Sequence, residues 1–214
     1  MTEETLTRLA DLIVGFGANV QEGQIVGIST EPGKEPLTRA VAAAAYRAGA
    51  KFVDPWYFDY DVKRQRLLYG REDDLEFVPP WYSHRLLELS RQRCARIALT
   101  GLADPELFEG IDPELAGRDQ LPWLPEGGQV INERTTNWCG VPCPTPGWAA
   151  MVHPDLEPEE AHAKLWDQIC HILRMDTDDP RAAWQERVDA LVASAGALTE
   201  RRFDAIRMLS LIHI

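Results

Sequence analysis

Apolar side chains recur along the chain with two different periods, and the alternation between them predicts the layout. Leu6, Leu9, Ile13 and Phe16 fall three or four residues apart, so Thr2 to Gly17 reads as a helix closed by glycine. "GQIVGIST" (Gly23 to Thr30) is a short, nearly continuous apolar run, the pattern of a buried strand. "EPLTRAVAAAAYRAGA" follows as an alanine-rich helix ended by Gly49. "KFVDPWYF" reads as a second strand, broken at Pro55 because proline removes a ladder donor. "VKRQRLLYG" and "PPWYSHRLLELSRQ" read as helices, the latter starting on Pro80, and "CARIALTG" (Cys94 to Gly101) as a third strand. "LPWLPEGG" (Leu121 to Gly128) has the composition of a turn or linker, and "INERTTNWCGVP" has room for one more strand.

Strands alternating with helices argue for a parallel sheet with right-handed crossovers. The fold class expected is α/β: a Rossmann-like parallel sheet layered with helices over residues 1–128. From Pro158 the pattern becomes helical. "PEEAHAKLWDQICHILRM" puts Leu165, Ile169 and Ile172 on one stripe, with Trp166 and Leu173 beside it. Asp179 caps a further helix with Pro180 at its first position, and Trp184, Val188, Leu191, Val192 and Ala195 share one face of it. A third helix is expected to begin near Thr199. Residues 129–207 thus read as a loop and helical segment following the α/β layer.

Charge removes several partner classes. The chain carries 34 acidic and 22 basic side chains, a formal net charge of −12, so a polyanion meets repulsion over most of the surface. Nucleic acid and anionic membrane are not expected partners, and "VKRQR" reads as a solvated helix face. No apolar run approaches the ~20 residues needed to cross a bilayer. The start, "MTEETLTRLADLIVG", is acidic and lacks the basic region of a secretory signal. A cytoplasmic protein with four cysteines kept as thiols is the expectation.

Candidate chemistry along the chain does not assemble into a site. "GISTEPGKE" (Gly27 to Glu35) lies between strand and helix, where a phosphate loop would sit. Five residues rather than four separate its glycine from Gly33-Lys34, and Glu35 stands where a magnesium-binding hydroxyl belongs. Cys139 and Cys143, with three residues between them, lack the second close pair that structural zinc uses; His153 and Cys170 lie too far along the chain to supply it by spacing. Glu159 and His162 form a single Glu-x-x-His, half or less of a di-iron motif, and His162 is expected on a helix surface near Trp166. His162 and His171 are nine residues apart and, at ~100° per residue, face opposite sides of their helix. Cys94 opens an apolar strand and reads as a small buried hydrophobe.

"WCGVPCPTPGWAAMVHPD", "EEAHAKLWDQI", "DDPRAAWQERVDAL" and "ALTERRFDAIR" together resemble the aminopeptidase T / aminopeptidase S family of metallo-aminopeptidases. The features carrying the likeness are Pro144-x-Pro146-x-Trp148-Ala149, Leu165-Trp166, Asp179-Pro180 and Trp184. "ADLIVGFGANVQEGQIVGIS", "AYRAGAKFV" and "ELFEGIDPEL" extend it towards the front, and it spans about Leu6 to Arg207. The resemblance implies a two-domain hydrolase that removes N-terminal residues from peptides, homodimeric at full length. It implies two divalent ions (zinc, cobalt or magnesium) that activate a water and polarise the scissile carbonyl. Their ligands, a set of Glu, His, Asp and Tyr, are implied to lie in a second domain beyond this chain. No catalytic or metal residue is therefore carried onto this sequence, no substrate-binding residue is assigned, and none of the ions is expected on this chain. Residues 208–214, "LSLIHI" at their end, read as a non-native tail on a truncated fragment. The helices around Trp166 and Trp184 are expected to pack partly against the absent domain. The alternative is a stand-alone, non-catalytic binding or interaction module with an α/β fold.

Overall fold

Four strands form one sheet in a computed structural model that describes residues 1–101, 104, 106–205 and 207. β1 (Ile25–Thr30), β2 (Phe52–Tyr57), β3 (Ala95–Thr100) and β4 (Trp138–Pro142) lie in the order β2-β1-β3-β4, every pairing parallel. Parallel neighbours need crossovers, and helices supply them. α1 (Glu3–Leu12) precedes the sheet, α2 (Glu35–Arg47) links β1 to β2, and α3 (Tyr60–Tyr69) and α4 (Pro80–Arg91) link β2 to β3. α5 (Pro113–Arg118) and α6 (Pro125–Glu133) link β3 to β4; α7 (Pro146–Val152), α8 (Pro158–Ile172) and α9 (Pro180–Glu200) follow. The α/β class with a parallel, helix-layered sheet is what the periodicity predicts.

The two sheet faces are not equivalent. Register and strand alternation put Val26 and Ile28, Ile97 and Leu99, and Val141 on one face. That face packs on α1, α2 and the π-helical turn Ile13–Gly17, in a cluster including Leu9, Val14, Leu37 and Val41. Opposite stand the small residues Gly27, Ser29, Ala98 and Gly140 together with Arg96 and Trp138, and α4 and α6 lie on this side. Gly27 is where α4 comes closest: a Cβ there would lie 3.5 Å from Leu89.

Several sequence expectations change. β2 is not broken at Pro55; it runs through it, paired with Ile28. β2 lies at one edge of the sheet. Phe58 N–H donates to Thr30 O (3.0 Å), so nitrogens in phase with Phe58 face β1 and the Pro55 nitrogen faces outwards, where no donor is needed. Val53, in phase with Pro55, gives its N–H to the Tyr46 hydroxyl at 3.2 Å. The second half of "LPWLPEGG" is not linker: Pro125 opens α6, which continues past Gly128, and β4 then joins the same sheet. Proline is suited to a first helical position because its missing N–H would be unpaired there anyway.

The back third is similarly adjusted. Leu165 and Ile169 are buried with Ala161 and Ala149, but Ile172 is 62% exposed and leaves the stripe. Trp166 is 7% exposed and belongs to the main core, so it packs within this chain rather than awaiting another domain. Asp179 caps α9 by accepting from Ala182 N–H at 3.0 Å, as its position predicts. α9 runs unbroken through Thr199 to Glu200, so no separate helix begins there; Ala197, Leu198 and Glu200 are good helix formers and no proline interrupts them. The apolar face of α9 packs through its first turns only. Trp184 donates to Leu173 O at 2.9 Å and takes the Arg174 guanidinium over its ring, whereas Leu191 and Val192 are exposed. The tail expected at 208–214 lies outside the described residues.

Because Trp166 is the α8 residue that enters the main core, Trp166→Ala is expected to lower stability by about 3–5 kcal/mol. Urea denaturation followed by circular dichroism measures it.

Candidate binding cavity at the carboxyl end of the sheet

In an open parallel sheet, ligands sit outside the carboxyl ends of the strands, where the chain reverses its direction of progress across the sheet. Here that point lies between β1 and β3, since β2 is added on one side of β1 and β3 on the other. The small side chains on the α4/α6 face leave a cavity of about 710 Å³ at this point. Ser29 and Ala98 form its floor. Trp56, Phe58 and Tyr60 rise along one side, Leu86 lines it from α4, and Trp123 and Ile131 stand at the α6 side. The aromatic wall is ordered edge to face, Trp56 on Phe58 at 5.9 Å and Phe58 on Tyr60 at 4.9 Å.

The rim is held by cations on α3. Lys63 Nζ donates to the carbonyls of Asp119 and Leu121 (2.9 and 2.5 Å), and Arg66 pairs with Asp119 at 3.5 Å. Asp119 in turn accepts from Leu121 N–H at 3.1 Å. These contacts fix the turn that carries Trp123. Burial, partly opposed by Asp119, lowers the Lys63 pKa.

Lys34 and Glu31 close the carboxyl end. The Lys34 side chain is fully buried; its Nζ donates to Glu31 Oε1 at 3.1 Å, Leu99 O at 3.0 Å and Gly101 O at 2.8 Å. All three ammonium protons are thereby used, which accounts for a buried charge. The same geometry answers the phosphate-loop question raised by "GISTEPGKE": the lysine points into the protein and ties the β1–α2 turn to the end of β3. Gly101 beside it has φ of 122° and no space for a side chain, a Cβ falling 2.8 Å from Cys143 O. Glu31 lines the cavity, and with burial it raises the Tyr60 pKa.

Two arginines face the same side of the sheet. Arg85 on α4 pairs with Asp54 at 2.7 Å and lies over the Trp56 ring at 5.3 Å. Arg96, mid-strand on β3 and half-buried, lines the cavity, and no carboxylate among the described residues pairs with it. Burial and the neighbouring Arg85 charge lower its pKa.

The residues weighed for metal and nucleophile chemistry are dispersed. Cys139 packs against Gly17, Cys143 is buried at the end of β4, Cys170 lies on α8, and Cys94 is buried before β3. All four are free thiols, with burial raising each pKa. His153 contacts Gln168 at 2.8 Å. His162 is half-buried rather than on the surface: its Nε2 lies 3.1 Å from Trp166 Nε1 and 3.2 Å from Pro144 O. His171 is exposed and bonds Asp176 at 2.6 Å. No group of three or more His, Cys, Asp or Glu that could hold a metal ion occurs among the described residues. The donor set present therefore does not fit a pair of divalent ions. Sequence reading missed the cavity and Arg96; the signal available was Gly27, Ser29, Ala98 and Gly140 at one parity of β1, β3 and β4, interrupted by Arg96 and Trp138.

A family model for thermophilic metalloproteases (M29) matches residues 2–212. The chain belongs to the M29 family. This M29 chain is 37% identical over 212 residues to aminopeptidase T of Thermus thermophilus, an alignment covering 95% of this chain and 50% of that protein. It is 31% identical to aminopeptidase 2 of Geobacillus stearothermophilus, covering 94% and 49%. The solved structure of wild-type AmpT from Thermus thermophilus superposes with a TM-score of 0.83 at 34% identity, over 94% of this chain and 49% of that one. The M29 chain thus spans about half the length of the curated relatives it matches.

Two outcomes follow from the buried groups of this M29 chain. Lys34→Ala leaves two carbonyls and the Glu31 carboxylate without their donor and is expected to cost about 3 kcal/mol in urea denaturation. Burial pushes the Cys143 thiol from its ordinary 9.0 up to about 11, so the unfolded chain releases this proton first. Its contribution to stability is complete below pH 9 and is lost as pH rises to about 11, by roughly 2–3 kcal/mol. Stability curves at pH 8.5 and 11 should therefore converge in Cys143→Ala relative to the unaltered chain.

Proposed function

We propose that these residues form the non-catalytic half of a metal-dependent aminopeptidase that releases N-terminal amino acids from peptides. The observation carrying this reading is that the M29 match extends over residues 2–212 while covering half the length of relatives named aminopeptidases. The lack of a three-ligand group among the described residues supports placing the metal centre in the other half. In this reading two divalent ions, zinc, cobalt or magnesium, supply a Lewis acid and an activated water there. Their Glu, His, Asp and Tyr ligands belong to that half, and the complete enzyme is a cytoplasmic homodimer acting on peptides. No helix among the described residues is long and apolar enough to cross a membrane. The net charge of −12 opposes nucleic-acid binding.

Aminoacyl-p-nitroanilide hydrolysis tests the reading in two arms. A protein containing this segment together with the remaining M29 half is expected to turn over with cobalt or zinc and to stop with a chelator. The purified 214-residue chain is expected to show no turnover above buffer with either metal. Chelator-sensitive turnover by the 214 residues alone contradicts the assignment of catalysis to the other half.

A further inference from the structure

The cavity at the carboxyl end of the sheet has a use that the metal chemistry does not absorb. At about 710 Å³ it lies within the range of pockets that hold small organic ligands, roughly 300–1,000 Å³. Its walls are predominantly apolar and aromatic, and its charged groups are unequally satisfied. Glu31 is neutralised by Lys34 at 3.1 Å, and Arg85, just outside the lining, by Asp54 at 2.7 Å. Arg96 alone among these cations has no carboxylate partner among the described residues, although it is half-buried and lines the cavity. A cation withdrawn from water without a counter-charge is costly, and a ligand that brings one offsets the cost. A guanidinium presents a planar fork matching a carboxylate, with two parallel hydrogen bonds.

We propose that the cavity binds a small carboxylate joined to an aromatic or branched apolar group, its carboxylate on the Arg96 guanidinium and its apolar part against Trp56, Phe58 and Leu86. Ser29 and Ala98 offer small side chains for a ring to lie against, and Arg96, two residues before Ala98, shares their face of the sheet. A monoanion suits one guanidinium. Phosphate, with a second charge, finds no further free cation among the described lining residues and faces the Glu31 carboxylate. The inference stands on the cavity and does not depend on the aminopeptidase reading.

Isothermal titration calorimetry on the full 214-residue chain tests it with 3-phenylpropionate, its neutral amide and inorganic phosphate. The acid is expected to bind at least tenfold more tightly than the amide, and phosphate not to bind in the same range. Arg96→Met is expected to bring the acid down to the level of the amide, and Arg96→Lys to retain an intermediate affinity. Because Arg96 makes no ion pair among the described residues, Arg96→Met should melt no lower than the unaltered chain. Equal affinity for acid and amide, no binding of either at millimolar concentration, or unchanged acid binding in Arg96→Met each overturns the proposal. The acid–amide comparison in the unaltered chain decides the matter even if the variant does not fold.

Discussion

The sheet is unevenly furnished, and the rest of the structure depends on that. β1, β3 and β4 place Val, Ile and Leu on one side; on the other, Gly27, Ser29, Ala98 and Gly140 leave room around Arg96 and Trp138. Hydrophobic burial scales with apolar area, so one side draws in α1, α2 and Trp166 of α8 and becomes the core. Helices packing on the other side meet few large side chains, and α4 and α6 leave a cavity between themselves and the strands. The position of that cavity then follows from topology, because the crossovers diverge at the carboxyl ends of β1 and β3.

A buried lysine fixes the geometry of that end. Lys34 binds the β1–α2 turn to the last carbonyls of β3 through three donors. Removing one partner from such a cluster costs more than the cluster itself contributes, so it specifies one arrangement of the switch point. On the rim, Lys63 and Arg66 perform the corresponding task for the turn bearing Trp123. Charge in this M29 chain therefore organises loops around a cavity and does not gather into a metal-binding cluster among the described residues.

Much of the fold was legible in the chain because it is written in period and punctuation. Helical spacing of Leu6, Leu9 and Ile13, prolines at helix starts, the Asp179 cap and the run "QIVGIS" each act locally, and each element formed where these signals lie. Pro55 misled because its effect depends on being in an edge strand with its nitrogen turned outwards, which is a matter of sheet order rather than of the dipeptide. Ile172 and Leu191 misled because a helical stripe shows what can be buried, whereas the neighbouring elements decide what is. The cavity was invisible for a related reason. Gly27 and Ser29 look like weak strand residues until register sets Gly27 beside Arg96 and Ser29 beside Ala98 and, one strand further, Gly140. The turn at Lys34 was legible as a plain strand-to-helix connection, but the partners of its ammonium, the Leu99 and Gly101 carbonyls, are brought there only by tertiary structure. The metal ligands implied by family resemblance could not be read here at all, since no motif for them exists in these residues.

The central claim is that the two faces of β3 differ as core differs from void. Enlarging one alanine on each face tests it directly, by comparing the urea unfolding free energies of Ala98→Leu and Ala95→Leu. Ala98 lines the cavity, and Ala95 is fully buried on the packed side. The account predicts that Ala98→Leu is as stable as the unaltered chain or more so, and that Ala95→Leu loses about 1–3 kcal/mol to overpacking. Equal losses at both positions would contradict it, because the face assigned to the cavity would then be as tightly filled as the core.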